Sequence, residues 1–357
     1  MSVRLKPVEQ QVIVLTGATS GIGLPTAHAL ADRGARLVLV ARNGEALEKV
    51  ADECRERGGE AVAVAADVGR FDDLERVART AVERFGGFDT WINNAGVAIY
   101  GTCEEVPLED HRRLFETNYW GVVQGSLIAA RHLRPKGGKI ITTGSVLGDR
   151  ATILQGPYSA SKHAVKGFTD ALRMDLEAGG TPISVTLIKP SAIDTPYMEH
   201  ARSYLGSAGT RNPPPSYAPG VVAKAIVFAC ENDRRDLVVG FGGWAVAAMG
   251  AVAPRTTDYL METVGRALQE SRHPGQTERR DNLYTPRQDG AERSSLPGGA
   301  RHGSLFLEAQ MHPAMAMLAL AGLAVGIAAA LPSRRPPMPN RRACWSTVPI
   351  LLANHLS

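Results

Sequence analysis

Tyr158 and Lys162 stand four residues apart, with Ser145 thirteen residues upstream. Together they offer a phenol that can give up a proton, a cation to tune it and a hydroxyl to steady the atom that receives it. Residues four apart on a helix share a face, so the Lys162 ammonium is expected beside the Tyr158 ring. A neighbouring positive charge favours the phenolate and brings a group of reference pKa about 10 toward working pH, which is what a general acid requires. A Tyr-x-x-x-Lys pair alone is a weak signal, and its setting decides what it means.

That setting begins at the N-terminus. Residues 11–16 (QVIVLT) form a short β-branched apolar run, followed by TGATSGIG with Gly17, Gly21 and Gly23, and then by a helix-like stretch. Strand, glycine turn and helix make a dinucleotide-binding opening, because glycines let the backbone approach a pyrophosphate and the helix N-terminus supplies free N–H groups. A second strand, Arg36 to Ala41, arrives where a βαβ unit requires it. Further apolar runs near 60–66, 88–93, 138–144, 182–189 and 237–240 alternate with amphipathic stretches. The pattern is that of parallel strands joined by right-handed crossovers, with helices on both faces. Ser145 then follows the fifth strand and Tyr158 and Lys162 sit on the next helix, at the sheet edge where open α/β folds bind ligands.

With these motifs in order, the chain resembles the short-chain dehydrogenase/reductase family over roughly residues 8–245. The matching residues are Thr16 to Gly23, Asp67, the turn Asn93-Asn94-Ala95-Gly96, Asn118, Ser145, Tyr158 and Lys162. The resemblance implies a doubly wound (Rossmann) α/β fold with a mostly parallel seven-stranded sheet. It also implies a catalytic set of Asn118, Ser145, Tyr158 and Lys162. In that set Ser145 bonds the substrate oxygen, Tyr158 exchanges its proton, and Lys162 holds the nicotinamide ribose and lowers the Tyr158 pKa. Asn118 would kink its helix so that a backbone carbonyl holds a water against Lys162; read on its own, a mid-helix Asn is an ordinary solvent-facing residue. The cofactor would lie on Gly17, Ser20, Gly21, Ile22, Gly23, Arg42, Asp67, Asn94, Ala95, Gly96, Pro190, Ile193 and Thr195, besides Tyr158 and Lys162. Asp67 is placed to accept from the adenine amino group, or else is a helix N-cap. The chain departs from the family once, with Pro190-Ser191 where Pro-Gly is usual.

The cofactor type is read at the end of the second strand. The sequence there is LVLVARN, so Ala41 takes the position where an NAD enzyme carries a carboxylate, and Arg42 follows. A carboxylate would repel a 2′-phosphate, whereas a guanidinium pairs with it; NADP(H) is favoured, with NAD(H) left open. The expected activity is hydride transfer between the nicotinamide and a carbonyl or alcohol of a lipophilic small molecule. The alternatives are a catalytically silent nucleotide-binding sensor or scaffold, and an epimerase or dehydratase of the same superfamily.

Composition adds limits. At 44% apolar and 21% charged residues over 357 positions, the chain is that of an ordinary globular enzyme. A formal charge of +4 leaves no nucleic-acid footprint. Cys54, Cys103, Cys230 and Cys344 are scattered without a metal-binding spacing, so free thiols and no metal centre are expected. That fits a cytoplasmic setting, and the N-terminus has no signal-peptide pattern. The catalytic domain is expected over 8–271, and Gly206 to Gly220, rich in Pro and Gly, as a lid or a passive surface loop. Residues 272–304 read as a disordered polar linker, and 305–357 as a tail carrying an apolar helix at 312–331. Twenty uncharged residues reach about 30 Å as a helix, so membrane association stands beside a docked or oligomer-interface helix as a reading. Assembly as a homo-oligomer is expected.

Overall fold

The computed structural model describes residues 3–205, 208–274, 281–287, 290–296 and 298–330. Seven strands form one sheet: β1 (Val12–Thr16), β2 (Arg36–Ala41), β3 (Glu60–Ala65), β4 (Thr90–Asn93), β5 (Gly138–Thr143), β6 (Ile183–Pro190) and β7 (Asp236–Val239). Their order is β7-β6-β5-β4-β1-β2-β3 and every pairing is parallel. The topological switch point therefore falls between β1 and β4, where such sheets open a crevice.

A strand covered on both faces must be apolar on both, and β1 is: all five of its residues are buried. Ile13 and Leu15 point, with Leu37 and Leu39, into a layer shared with α1 (Gly23–Ala31), α2 (Gly44–Glu56) and α7 (Pro219–Glu231). Val12, Val14, Val38 and Val40 point the other way, toward α3 (Phe71–Phe85), α5 (Gly121–Leu133) and α6 (Gly156–Ala178). The period-two alternation of side chains thus builds two cores from one sheet. Helix α4 (Leu108–Phe115) runs into α5 through a π-helical turn at Glu116–Trp120. Such turns interrupt the regular ladder and concentrate at functional sites.

Past β7 the chain continues through α8 (Phe241–Val252) and α9 (Pro254–Leu260), and the helical path ends at Gln269. The segment 272–304, expected to be a linker without structure, is corrected over its described part. Leu283 is fully buried among Val97, Ile99, Val106 and Leu114, and Ala300–Arg301 pairs with Ser216–Tyr217. Composition missed this because one buried leucine and many backbone hydrogen bonds do the ordering, rather than an apolar face. The Gly206–Gly220 stretch also holds short strands, Ala208–Thr210 against Glu270–Pro274 and the Ser216–Tyr217 pair.

The compact unit reaches His312, not residue 271, and a second unit starts at Pro313. Helix α10 (Leu305–Met311) belongs to the first unit, with Leu307 and Met311 buried in the core. The Gln310 amide accepts from the Val238 N–H (2.9 Å) and donates to the Val238 carbonyl (2.9 Å). It thereby caps the outer side of β7, an edge strand that would otherwise expose unpaired backbone groups. In the second unit α11 (Pro313–Ala330) takes the place expected for the apolar helix at 312–331. Among the described residues no helix is long and apolar enough to cross a membrane. Cys54, Cys103 and Cys230 are free thiols, and no cluster suited to a metal ion is found among the described residues.

Candidate active site

The C-terminal ends of β1, β4 and β5 are stitched together at the switch point. The Thr16 hydroxyl donates to the Ile92 carbonyl (3.1 Å) and accepts from the N–H groups of Asn94 (2.9 Å) and Ala95 (3.1 Å). Asn94 returns its amide N–H to the carbonyls of Thr16 (3.1 Å) and Gly17 (3.3 Å), while its Oδ1 accepts from the Thr143 hydroxyl (3.2 Å). The turn that follows has no room for a side chain at Gly17 or Gly23. Gly17 sits at φ +70° with Ala95 Cα 2.8 Å from where a Cβ would be, and a Cβ on Gly23 would stand 1.8 Å from the Gly17 carbonyl oxygen. Both positions require glycine, on conformation and on space respectively.

A cavity of about 540 Å³ opens above these strand ends. Of the residues expected at the cofactor, Gly17, Ser20, Gly21, Ile22, Arg42, Asp67, Asn94, Ala95, Gly96, Pro190, Ile193 and Thr195 line it, and so do Ser145, Tyr158 and Lys162. Gly23 and Asn118 do not. Gly23 acts through close packing in the turn, and Asn118 lies behind the wall, fully buried in the π-helical turn. The Asn118 Oδ1 accepts from the Val97 N–H (2.9 Å), and its Nδ2 donates to the Val97 carbonyl (3.0 Å) and the Ser161 hydroxyl (3.2 Å). It therefore joins the chain after β4 to the helix carrying Tyr158, which a solvent-facing Asn would not do.

Ser145 lies two residues past the end of β5 and caps the next turn, its Oγ accepting from the Leu147 N–H at 3.0 Å. Tyr158 lies in the first turns of α6, one residue after Pro157, which suits a helix start because its missing N–H has no partner there. Lys162 follows one turn on, its Nζ 5.6 Å from the Tyr158 ring centre and donating to the Thr143 carbonyl at 2.9 Å. Burial raises the Tyr158 phenol to about 12 against smaller lowering by the hydroxyls of Ser145 and Tyr197. Burial also lowers Lys162 to about 8. The expected lowering of the Tyr158 pKa is not what the structure gives: burial is the largest cause for both groups and leaves the phenol above its ordinary value even with Lys162 beside it. The Tyr158 phenol therefore stays protonated at neutral pH, and Lys162 is the group of the pair that titrates closer to it.

Asp67 is not the N-cap of α3, a position held by Arg70. Its Oδ1 accepts from the Gly69 N–H (3.0 Å) and its Oδ2 pairs with Arg113 (2.6 Å) at the cavity wall. Arg42 donates to the carbonyls of Leu283 (3.2 Å) and Tyr284 (3.3 Å) and to that of Asn282. Ser191, where the family has glycine, keeps its N–H on the Val239 carbonyl at 2.9 Å. Its side chain fits because Gly240 and Gly243 leave space: a Cβ on Gly240 would lie 2.1 Å from the Ser191 Oγ, and one on Gly243 2.7 Å from the Ser191 Cβ.

Sequence reasoning missed Tyr197, Gln155 and the C-terminal segment. The Tyr197 hydroxyl donates to Gln155 Oε1 (3.0 Å), its ring lies edge-on to Tyr158 at 5.4 Å, and Gln155 Nε2 donates to Gln269 Oε1 (2.7 Å). Leu154, held at φ 64°, turns the chain into this network just before α6. A tyrosine and two glutamines far apart in sequence follow no spacing rule that would have joined them. Segments 281–287 and 290–296 also reach the cavity, through Asn282, Pro286, Arg287 and Gly290.

The comparisons bear on this geometry. The short chain dehydrogenase family model matches residues 11–205. The chain is 43% identical to the Bacillus subtilis oxidoreductase YxnA, whose activity is uncharacterized, over 91% of this chain and 92% of that one. It is 37% identical to the 11-beta-hydroxysteroid dehydrogenase A of Sesamum indicum, over 53% of this chain and 54% of that one. Among solved structures it is similar to a short chain dehydrogenase/reductase from Burkholderia phymatum in complex with NAD, with a TM-score of 0.63 and 27% identity, covering 69% of this chain and 94% of that one. The glycine turn, the parallel sheet and the extent of these matches place the chain in the short-chain dehydrogenase/reductase family, and it is an oxidoreductase of that family.

Proposed function

We propose that the protein is an NADP(H)-dependent carbonyl reductase or alcohol dehydrogenase acting on a lipophilic substrate. One observation carries the reading: a phenol, a hydroxyl and a lysine meet in a cavity whose floor is the glycine turn, in which Gly17 and Gly23 have no room for a side chain. The residues fit a dinucleotide in setting the glycine turn at the cavity wall just before α1, where the Gly21 N–H, which a phosphate would take, donates to the Ala291 carbonyl at 3.0 Å. When bound, a nicotinamide supplies or accepts the hydride. The chain's own residues do the rest. Ser145 steadies the substrate oxygen, Tyr158 gives it a proton in reduction or takes one in oxidation, and charged Lys162 offsets the negative charge left on the phenolate. Asn118 holds the strand-to-helix connection that fixes their spacing.

The absence of a carboxylate at Ala41, with Arg42 in the cavity wall, supports NADP(H). Apolar side chains such as Val146, Leu147, Val246, Met261 and Leu268 line the cavity and support a lipophilic substrate, as does likeness to a plant protein named for a hydroxysteroid. Fluorescence titration of NADPH and NADH against the purified protein tests the cofactor. NADPH should bind tighter, and Arg42→Ala should weaken NADPH by roughly 1.5 to 3 kcal/mol more than it weakens NADH, any loss common to both coming from the carbonyls of 282–284 that Arg42 also holds. Equal affinities, or an unmoved NADPH affinity in the variant, would refute NADP(H) preference. Steroids, retinoids, fatty aldehydes and sugars, scored by NADPH consumption, test the substrate class, and turnover confined to sugars would refute a lipophilic one.

A further inference from the structure

The Gly21 N–H stands in the turn that would meet a pyrophosphate, yet its acceptor is this chain's own backbone, the Ala291 carbonyl at 3.0 Å. Gly290, next to Ala291, lines the cavity at φ +50°. A carbonyl oxygen and a phosphate oxygen are both acceptors, and one N–H aimed at one spot cannot serve both at full strength.

The stretch that carries Ala291 ties the glycine turn after β1 to the chain that follows β6. Arg293 donates to Asp194 Oδ2 through Nε (2.8 Å) and Nη2 (2.7 Å). Glu199 Oε1 accepts from the Ser295 N–H (2.7 Å) and from the hydroxyls of Ser295 (2.8 Å) and Ser294 (3.1 Å). Asp194 and Glu199 stand on either side of Thr195 and Tyr197 in the chain, and both of those line the cavity. The two ends of this C-terminal segment are held by apolar side chains. Leu283 is fully buried, and Leu296 packs partly buried against Tyr100, Leu154 and Met198. Between them the hold is polar, and the Arg293 side chain is 45% exposed. Exposed ion pairs hold far more weakly than a buried leucine, so the middle of the segment is the part that can lift.

We infer that residues 290–295 are an autoinhibitory strap: Ala291 stands where a dinucleotide phosphate must come, and the strap lifts off Gly21, pivoting on Leu283 and Leu296, when the dinucleotide binds. This rests on the dinucleotide reading above and adds regulation of the same site, because the contacts of Arg293, Ser294 and Ser295 set how readily the cofactor enters. The strap lies outside the stretch matched by the family, residues 11–205.

The test uses the full chain with NADPH as the probe. Arg293→Ala frees the strap from Asp194 and alters no residue that lines the cavity. It should tighten NADPH binding about threefold, chiefly through faster association. Combining it with Glu199→Ala should tighten binding about tenfold. Hydrogen exchange of the unaltered protein gives a second reading that needs no variant: with NADPH bound, the amides of 290–295 should exchange faster while those of the glycine turn exchange more slowly. Unchanged or weaker NADPH binding in the combined variant would overturn the inference. So would slower exchange in both segments, since the strap would then clamp the nucleotide and not compete with it. If neither the unaltered protein nor the combined variant bound NADPH or NADH, the dinucleotide reading itself would fall, and this inference with it.

Discussion

At the scale of single residues, the chemistry turns on how burial divides protons between Tyr158 and Lys162. The phenol, raised to about 12, stays protonated at neutral pH, while Lys162, lowered to about 8, loses its charge in the mildly alkaline range. In the proposed mechanism reduction needs both the proton on Tyr158 and the charge on Lys162, so its rate should fall as pH rises through about 8. Lys162→Arg keeps a charge at every accessible pH. It should be slower at neutral pH, but its alkaline fall should move to higher pH, and a pH–rate profile that keeps the original limb in that variant would refute the assignment. Tyr158→Phe should bind cofactor and lack turnover. The sequence made these residues legible because the reacting groups sit at fixed spacings on one helix and one strand end. It did not disclose the sign of the phenol's shift, which depends on how deeply the fold buries the pair and not on the distance of Lys162 along the helix.

At the scale of elements, two devices hold the site in register. The π-helical turn places Asn118 so that one amide satisfies both backbone groups of Val97. Asn118→Leu leaves these buried groups without partners at a cost of about 1 to 3 kcal/mol each. It should therefore lower the urea midpoint and also slow turnover, and loss of neither would show that the Asn118 contacts are dispensable. The second device is the Gln310 cap on β7. Gln310→Ala should cost about 1 to 3 kcal/mol without touching cofactor affinity, as read by equilibrium unfolding beside NADPH titration. All seven strands were readable from apolar periodicity, since parallel strands covered on both faces are nearly continuous apolar runs. The β7 cap was not, because a single glutamine facing a strand edge leaves no periodic trace.

At the scale of the whole molecule, the C-terminal third divides at Pro313 and not at residue 271. Cutting the chain after Arg272 would remove Leu283, Leu307 and Met311 from the core, each contributing on the order of 1.5 to 3 kcal/mol by burial. That truncation should unfold at a clearly lower temperature than the full chain or fail to fold, whereas one ending at His312 should keep the midpoint and the cofactor affinity. Equal stability of the two truncations would show that 281–311 is dispensable. Polar composition concealed this segment because its order comes from backbone carbonyls held by Arg42 and Arg113. The account stands or falls on hydride transfer with Tyr158 as proton donor. The direct measurement is NADPH consumption with lipophilic carbonyl compounds, run side by side with NADPH binding, for the unaltered protein and Tyr158→Phe. The account requires turnover in the first, undetectable turnover in the second and similar NADPH affinity in both; full activity in Tyr158→Phe, or a protein that neither binds nor consumes NADPH, would contradict it.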